Sequence, residues 1–157
     1  MLPETLREQS LAVAVEAFDG DAIVGGKFDR GELTLEIAAA KIASVCGFLK
    51  YDRKFARLSS VTAVDRYPAE PRFEVVYHLH SVETGERVRL KCRIAGAEPS
   101  IESVTSVWRG ANWYEREAFD LFGIQFRNHP DLRRIMLPED WEGHPLRKDY
   151  PITGARV

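Results

Sequence analysis

The stretch RFEVVYHLHSV (72–82), followed after a short connection by ERVRLKCRI (86–94), has the period of two paired β-strands. Both runs are rich in β-branched and aromatic residues, and the connection at 83–86 contains Gly85, which is free to take positive φ. Together these features predict a hairpin. In its second arm Val88, Leu90, Cys92 and Ile94 alternate strictly with Arg87, Arg89, Lys91 and Arg93. One face therefore belongs to the core, and the other, strongly basic, is solvated or meets an acidic surface.

Upstream of the hairpin, Leu33, Leu35 and Ile37 alternate with Glu32, Thr34 and Glu36, the pattern of a half-buried strand. Ile42, Val45, Cys46 and Leu49 fall at helical spacing, which predicts a helix over 38–50 with one buried stripe. A strand is expected at about 55–65, and a helix at 4–18, begun near Pro3 and stopped by Asp19 and Gly20. Downstream, helical segments are expected near 100–107 and 112–122. Strands and helices are segregated, so the expected class is α+β: two layers, a mixed or antiparallel sheet with helices on one side.

The helix at 112–122 has Asn112 where it can cap the first turn, Glu115 three residues on to complete a capping box, and Gly123 to end it. Tyr114, Ala118, Leu121 and Phe122 share one face, while Glu115, Arg116, Glu117 and Asp120 crowd the others. An exposed Arg116–Asp120 pair at i, i+4 would contribute only about 0.3–0.5 kcal/mol. Near residue 127 the composition changes, which divides the chain into an α+β domain (1–126) and an arm (127–157). Pro130, Pro138, Pro145 and Pro151 prevent any long helix or central strand in the arm. Ile135, Met136, Leu137, Trp141, Leu146 and Tyr150 nevertheless supply apolar anchors that a disordered tail would lack. Arg127, Arg133, Arg134, Arg147, Lys148 and Arg156 are mixed with Asp131, Glu139, Asp140, Glu142 and Asp149. That combination suits an extended segment laid in the groove of a second protein and ordered by it.

Composition excludes several function classes. A chain of 157 residues is one domain's length, and its 22 basic and 24 acidic residues leave a net charge of −2, too little positive field for a phosphate backbone. No apolar run approaches the ~20 residues that span a bilayer, and the N-terminus has neither the basic nor the apolar region of a secretory signal, so a cytosolic chain is expected. Cys46 and Cys92 are the only cysteines, without a CxxC pair, and are expected to be buried free thiols rather than ligands of an iron–sulfur cluster. His78 and His80 share a strand face but supply only two ligands to any metal. Gly25 and Gly26 belong to no phosphate-binding loop. Glu115, Glu117, Asp120 and His129 lie close in sequence, yet Glu115 and Glu117 point about 160° apart on a helix, which argues against a shared acid–base role.

The segments ERE (115–117), DLFGI (120–124), HPDLRRIM (129–136) and GHPLRKDYP (143–151) resemble the signature of the C-type (30 kDa class) subunit of respiratory NADH:quinone oxidoreductase, complex I. FARLSSVTAVDRYP (55–68), the hairpin, SVTSVW (103–108) and ANWYERE (111–117) extend the resemblance over roughly residues 30–151. It implies a non-catalytic structural and assembly subunit of the peripheral arm of that proton-translocating enzyme, on the cytoplasmic side of the inner membrane. A protein of this kind clamps the quinone-site 49 kDa class subunit and carries no cofactor, the iron–sulfur clusters and FMN residing in partner subunits. An equivalent subunit of a membrane-bound hydrogenase, or of a ferredoxin- or quinone-linked complex, would share ERE and HPDLRR; GHPLRKDYP favours complex I. The residues expected to meet a partner or to form ion pairs are Glu115, Arg116, Glu117, Asp120, His129, Arg133, Arg134, Trp141, Arg147, Lys148, Asp149 and Tyr150.

Overall fold

The hairpin lies inside a five-stranded sheet in the computed structural model, which describes residues 2–154; Arg156, at the end of the arm, lies outside them. The strands are β1 (Ile23–Asp29), β2 (Glu32–Ile37), β3 (Arg57–Asp65), β4 (Phe73–His80) and β5 (Arg87–Ile94), and the helices are α1 (Ser10–Phe18), α2 (Ile42–Tyr51) and α3 (Ala111–Phe122). Sheet order is β1-β2-β5-β4-β3. The hairpin pairs in continuous register from Phe73↔Ile94 to His80↔Arg87. Strand β2 runs parallel to β5, and the remaining pairs are antiparallel, which makes the sheet mixed.

Because side chains alternate across a strand, each strand contributes one row to the core. Leu33, Leu35, Ile37, Val61, Ala63, Val75, Tyr77, Val88, Leu90 and Cys92 are buried in one cluster with Val15 of α1, Val45 and Leu49 of α2, and Ala118 and Phe122 of α3. All three helices thus share one side of the sheet, as the α+β reading expects. None of the polar residues on the opposite side belongs to that cluster; Val76, between Glu74 and His78 in sequence, is buried but lies outside it. Cys46 and Cys92 are free and buried. Removal from water pushes the Cys46 thiol well up and that of Cys92 up to about 12, so both stay protonated.

Three local departures have tertiary causes. The helix expected over 4–18 breaks into a 3-10 turn, Glu4–Leu6, and α1, because Leu6 is fully buried against Gly26 of β1. Strand β1 escapes the alternation pattern through Gly25 and Gly26. At Gly26, with φ of 150°, a Cβ would stand 2.5 Å from the Thr34 carbonyl oxygen, so only glycine permits this approach of β1 to β2. In place of the helix expected near 100–107, β6 (Ser100–Glu102) pairs in parallel with β7 (Gln125–Arg127), burying Ile101 beside Phe126. No helix among the described residues is long and apolar enough to cross a membrane.

Candidate functional site

Helix α3 organises everything that follows it. Gly110 occupies its N-cap without any side-chain cap, so the expected Asn112–Glu115 capping box does not form. Asn112 lies within the first turn and its buried Oδ1 has no hydrogen-bond partner among the described residues. Glu115 turns inward instead, because Ala111, Glu115, Ala118 and Phe122 form the buried stripe of the helix. Its carboxylate is fully buried and accepts the Val104 N–H at 2.7 Å and the Ser103 hydroxyl at 2.6 Å. Desolvation outweighs these hydrogen bonds and raises its pKa to about 7. The His129 imidazole lies 3.9 Å away, accepting the Asp131 N–H at Nδ1 and facing the Asn112 carbonyl from Nε2. Burial holds His129 below its ordinary value, which weakens any charge pairing across this contact.

A carboxyl whose pKa is raised on folding binds more protons folded than unfolded, so its contribution to stability falls between pH 4.5 and about 7. Wild type is expected to lose on the order of 3 kcal/mol over that window relative to Glu115→Gln, at 1.36 kcal/mol per pH unit. Parallel denaturation curves at pH 4.5 and 7.5 would show this; equal pH dependence in the two proteins would refute it.

Asp120 is the second buried acid of α3, and it engages the arm. Oδ1 accepts Arg134 Nη1 at 2.7 Å, while Oδ2 receives the backbone N–H groups of Ile135, Met136 and Leu137 at 3.0, 2.7 and 2.9 Å. Burial opposes the charge, but Arg134 and the three N–H groups outweigh it and hold the carboxyl below its ordinary pKa. Arg134 also donates to the carbonyls of Trp141 and Gly143 at 3.0 and 2.9 Å, tying the arm to itself. Arg116 does not pair with Asp120. It donates to the carbonyls of Arg133 and Arg134 at 3.1 and 3.2 Å, with Trp113 stacked on its guanidinium at 5.3 Å.

The last turn of a helix leaves carbonyls without intrahelical partners, and here the arm supplies donors. Asp120 O accepts His144 Nδ1 at 2.8 Å, Leu121 O the Leu146 N–H at 3.1 Å, and Phe122 O the Arg147 Nε–H at 2.6 Å. Gly123 makes the approach possible: with φ of 75° it ends the helix, and a Cβ there would come within 2.6 Å of Arg147 and 2.7 Å of His144. Farther along, the Lys148 N–H donates to Asp65 at 2.8 Å, and Arg72 bridges two carboxylates. Arg72 meets Asp65 at 2.9 and 2.8 Å and Asp149 at 3.0 and 2.7 Å. The Arg72 guanidinium and the N–H groups of Lys148 and Tyr67 hold Asp65 far below the carboxylate range.

Its own domain therefore binds the arm along its length, whereas the sequence alone looks to a second subunit for its order. Asp120, the helix carbonyls and Asp65 stand in for regular secondary structure, which no residue of 128–154 adopts. Leu132 packs against the core and Leu137 is half-buried, but other apolar side chains of the arm point outward: Met136 is 63% exposed, Leu146 52% and Trp141 40%. Of the other expected residues, Glu117 is exposed and has no ion-pair partner among the described residues. Arg133 pairs with Asp131 at 2.9 Å on the surface, and the Tyr150 hydroxyl donates to the Glu142 carbonyl at 3.4 Å. Asp65, Arg72, Ser103 and His144 are not among the residues that the sequence alone singles out. His144 falls within GHPLRKDYP, Asp65 within FARLSSVTAVDRYP and Arg72 at the start of the hairpin, but nothing local marks their roles, because Asp149, the second partner of Arg72, is 77 residues from it.

A profile described as "Respiratory-chain NADH dehydrogenase, 30 Kd subunit" matches residues 35–156. The C-type subunit of NADH-quinone oxidoreductase from Geobacter sulfurreducens is 52% identical over 80% of this chain and 78% of its own. Its counterpart in Trichlorobacter lovleyi is 50% identical over 90% of each chain. Among solved structures, a trypsin-resistant fragment (1–134) of Nqo5 matches with a TM-score of 0.68 and 28% identity, over 78% of this chain and 98% of that one. A chain of the membrane-bound sulfane sulfur reductase, an archaeal respiratory membrane complex, matches with a TM-score of 0.77 and 28% identity, over 90% and 84%. The profile takes in the sheet from β2 onward, the charged α3 and the arm it holds, and the chain is a member of the 30 kDa subunit family of the respiratory-chain NADH dehydrogenase.

Proposed function

We propose that this chain is a non-catalytic structural and assembly subunit in the peripheral arm of a proton-translocating NADH:quinone oxidoreductase, on the cytoplasmic side of the inner membrane. Its partners are the other subunits of that arm, chiefly the quinone-site 49 kDa class subunit, which the segment 127–157 clamps. The observation that carries this reading is the arm itself. Its backbone and charged groups are bound inward by Asp120, the α3 carbonyls and Arg72, while Met136, Trp141 and Leu146 face outward. An already ordered segment displaying aromatic and apolar anchors binds with little further loss of conformational entropy.

The residues that invite a catalytic reading do not support one. Glu115 has the raised pKa typical of a general acid, but it is fully buried and both of its oxygens are engaged. The two thiols are buried and held protonated, a poor donor set for a cluster, so iron–sulfur chemistry is assigned to partner subunits. The similarity to the archaeal sulfane sulfur reductase chain favours, as a second reading, the equivalent place in a related membrane-bound complex. Identities near 50% to C-type subunits of NADH-quinone oxidoreductase weigh for the first. The purified chain is expected to contain no stoichiometric iron or flavin and to show no NADH:quinone turnover. Cofactor or turnover in the chain alone would overturn the proposal.

A further inference from the structure

The side of the sheet turned away from the helices is built as parallel cross-strand rows, and two of them differ sharply. In one, Thr34, Arg89, His78 and Ser60 lie in register across β2, β5, β4 and β3. Arg89 donates to His78 Nε2 at 3.1 Å and to Thr34 at 3.2 Å, Ser60 meets His78 Nδ1 at 3.1 Å, and Glu32 closes the row on Arg89 at 2.8 Å. Each member is satisfied, which makes the row a rigid floor.

The adjacent row is Arg57, His80 and Arg87, opposed across β3, β4 and β5. None of these three side chains has a hydrogen bond or ion pair among the described residues, although like charges gathered on one face are unfavourable unless answered. The nearby acids are committed: Glu32 to Arg89, Glu83 to Lys54, Glu86 to Thr84, and Glu74 to Arg66, Lys91 and Arg93. Glu36 lies opposite Lys91, on the far side of the locked row. A depression of about 420 Å³ opens over Arg57, His80, Arg87 and the floor beneath them.

We propose that this open face docks an acidic segment of another protein subunit, whose carboxylates seat on Arg57 and Arg87. The inference rests on the assembly reading, in which the chain has protein neighbours. Two strand spacings separate the arginines, so the carboxylates they receive stand about 10 Å apart. Arginine offers the planar, bidentate geometry that suits a carboxylate. An anionic membrane is the weaker occupant, because headgroup binding generally takes a cluster of about 4–8 basic residues, and only two free arginines stand here. Nucleic acid is disfavoured by the net charge of −2.

The test uses the full chain expressed in a host that assembles its complex. Arg57→Glu with Arg87→Glu is expected to leave the circular dichroism and unfolding midpoint of the isolated chain unchanged and to lower its recovery in the purified complex ten-fold or more. Arg57→Lys with Arg87→Lys should recover most of that loss. A photo-cross-linking residue at His80 should capture a peptide rich in Asp or Glu from another subunit. Full recovery of the charge-reversed chain would overturn the proposal, as would cross-links to lipid, nucleic acid, a second copy of the chain or a segment without acids. Purification of the wild-type chain with other kinds of subunit would instead defeat the assembly reading, while the cross-link would still report what covers this face.

Discussion

Asp120→Ala is expected to lower folding stability by about 3–5 kcal/mol, the range for removing one partner of a buried ion pair, and to release the arm. The side chain is fully buried and concentrates four donors: Arg134 on one oxygen and three successive backbone N–H groups on the other. Alanine would leave the Arg134 guanidinium, only 15% exposed, without its counter-charge and the three N–H groups without an acceptor. Asp120→Asn keeps one acceptor oxygen but turns an NH₂ group towards donors, so an intermediate loss is expected. Since the folded-state pKa is depressed, the stabilisation is fully present above pH ~4 and is lost as pH falls through the folded value. Urea denaturation with an unchanged slope, combined with new tryptic cleavage after Arg133, Arg134 or Arg147, would bear this out. A loss below about 1 kcal/mol with an arm still resistant to trypsin would show that Asp120 is not its anchor.

The second large effect belongs to Arg72. Its guanidinium, with 9% of the side chain exposed, is forked to Asp65 on one side and to Asp149 on the other, and lies 4.8 and 4.9 Å from the rings of Tyr67 and Phe73. Arg72→Met fills much of the volume but strands the Asp65 carboxylate, only 2% exposed, with just the N–H groups of Tyr67 and Lys148. A loss of about 3 kcal/mol or more is expected on the same physical grounds. Lysine would restore the charge without the fork, and so only part of the stability. Asp149→Ala, at the half-exposed end, should cost about 1 kcal/mol or less. Denaturation midpoints of the three variants test the ranking; a larger effect at Asp149 than at Arg72 would reverse the assignment of the buried pair.

The parts of the fold legible in the sequence are those whose signal is local. Strict alternation at 87–94 marks which face of β5 is buried, and helical spacing places α2 within a few residues. Strands β1, β6 and β7 carry no such signal: glycines interrupt the first, and the other two pair with each other only after the chain has turned through α3. Glu115 shows both the reach and the limit of helical geometry. Its spacing from Ala111, Ala118 and Phe122 is that of one stripe, yet its charge weighs against burial, and only the fold brings Ser103 and Val104 to receive it. Sequence alone offers Arg133 and Arg134 as ion-pair partners for the charges of α3 or of a second subunit, and Arg134 does pair with Asp120; it turns Arg147 and Asp149 towards a partner. Arg147 instead holds the arm to α3, and Asp149 holds it to Arg72, because the acceptor and donor for them come from the helix end and from a loop distant in sequence.

In the proposed role the arm, seated on its own domain, presents the surface that joins the chain to the complex. Deleting residues 138–157 removes Trp141, Leu146 and the Asp149 end of the arm but spares Asp120, Arg134 and the Asp65–Arg72 pair. The decisive measurement is co-purification from membranes of tagged full-length and deleted chains, with the circular dichroism of each recorded in isolation. Both chains are predicted to keep their α+β signal, and only the full-length chain to bring down the quinone-site subunit and its neighbours. A deleted chain that folds and retains the same subunits at full strength would contradict this role of the arm.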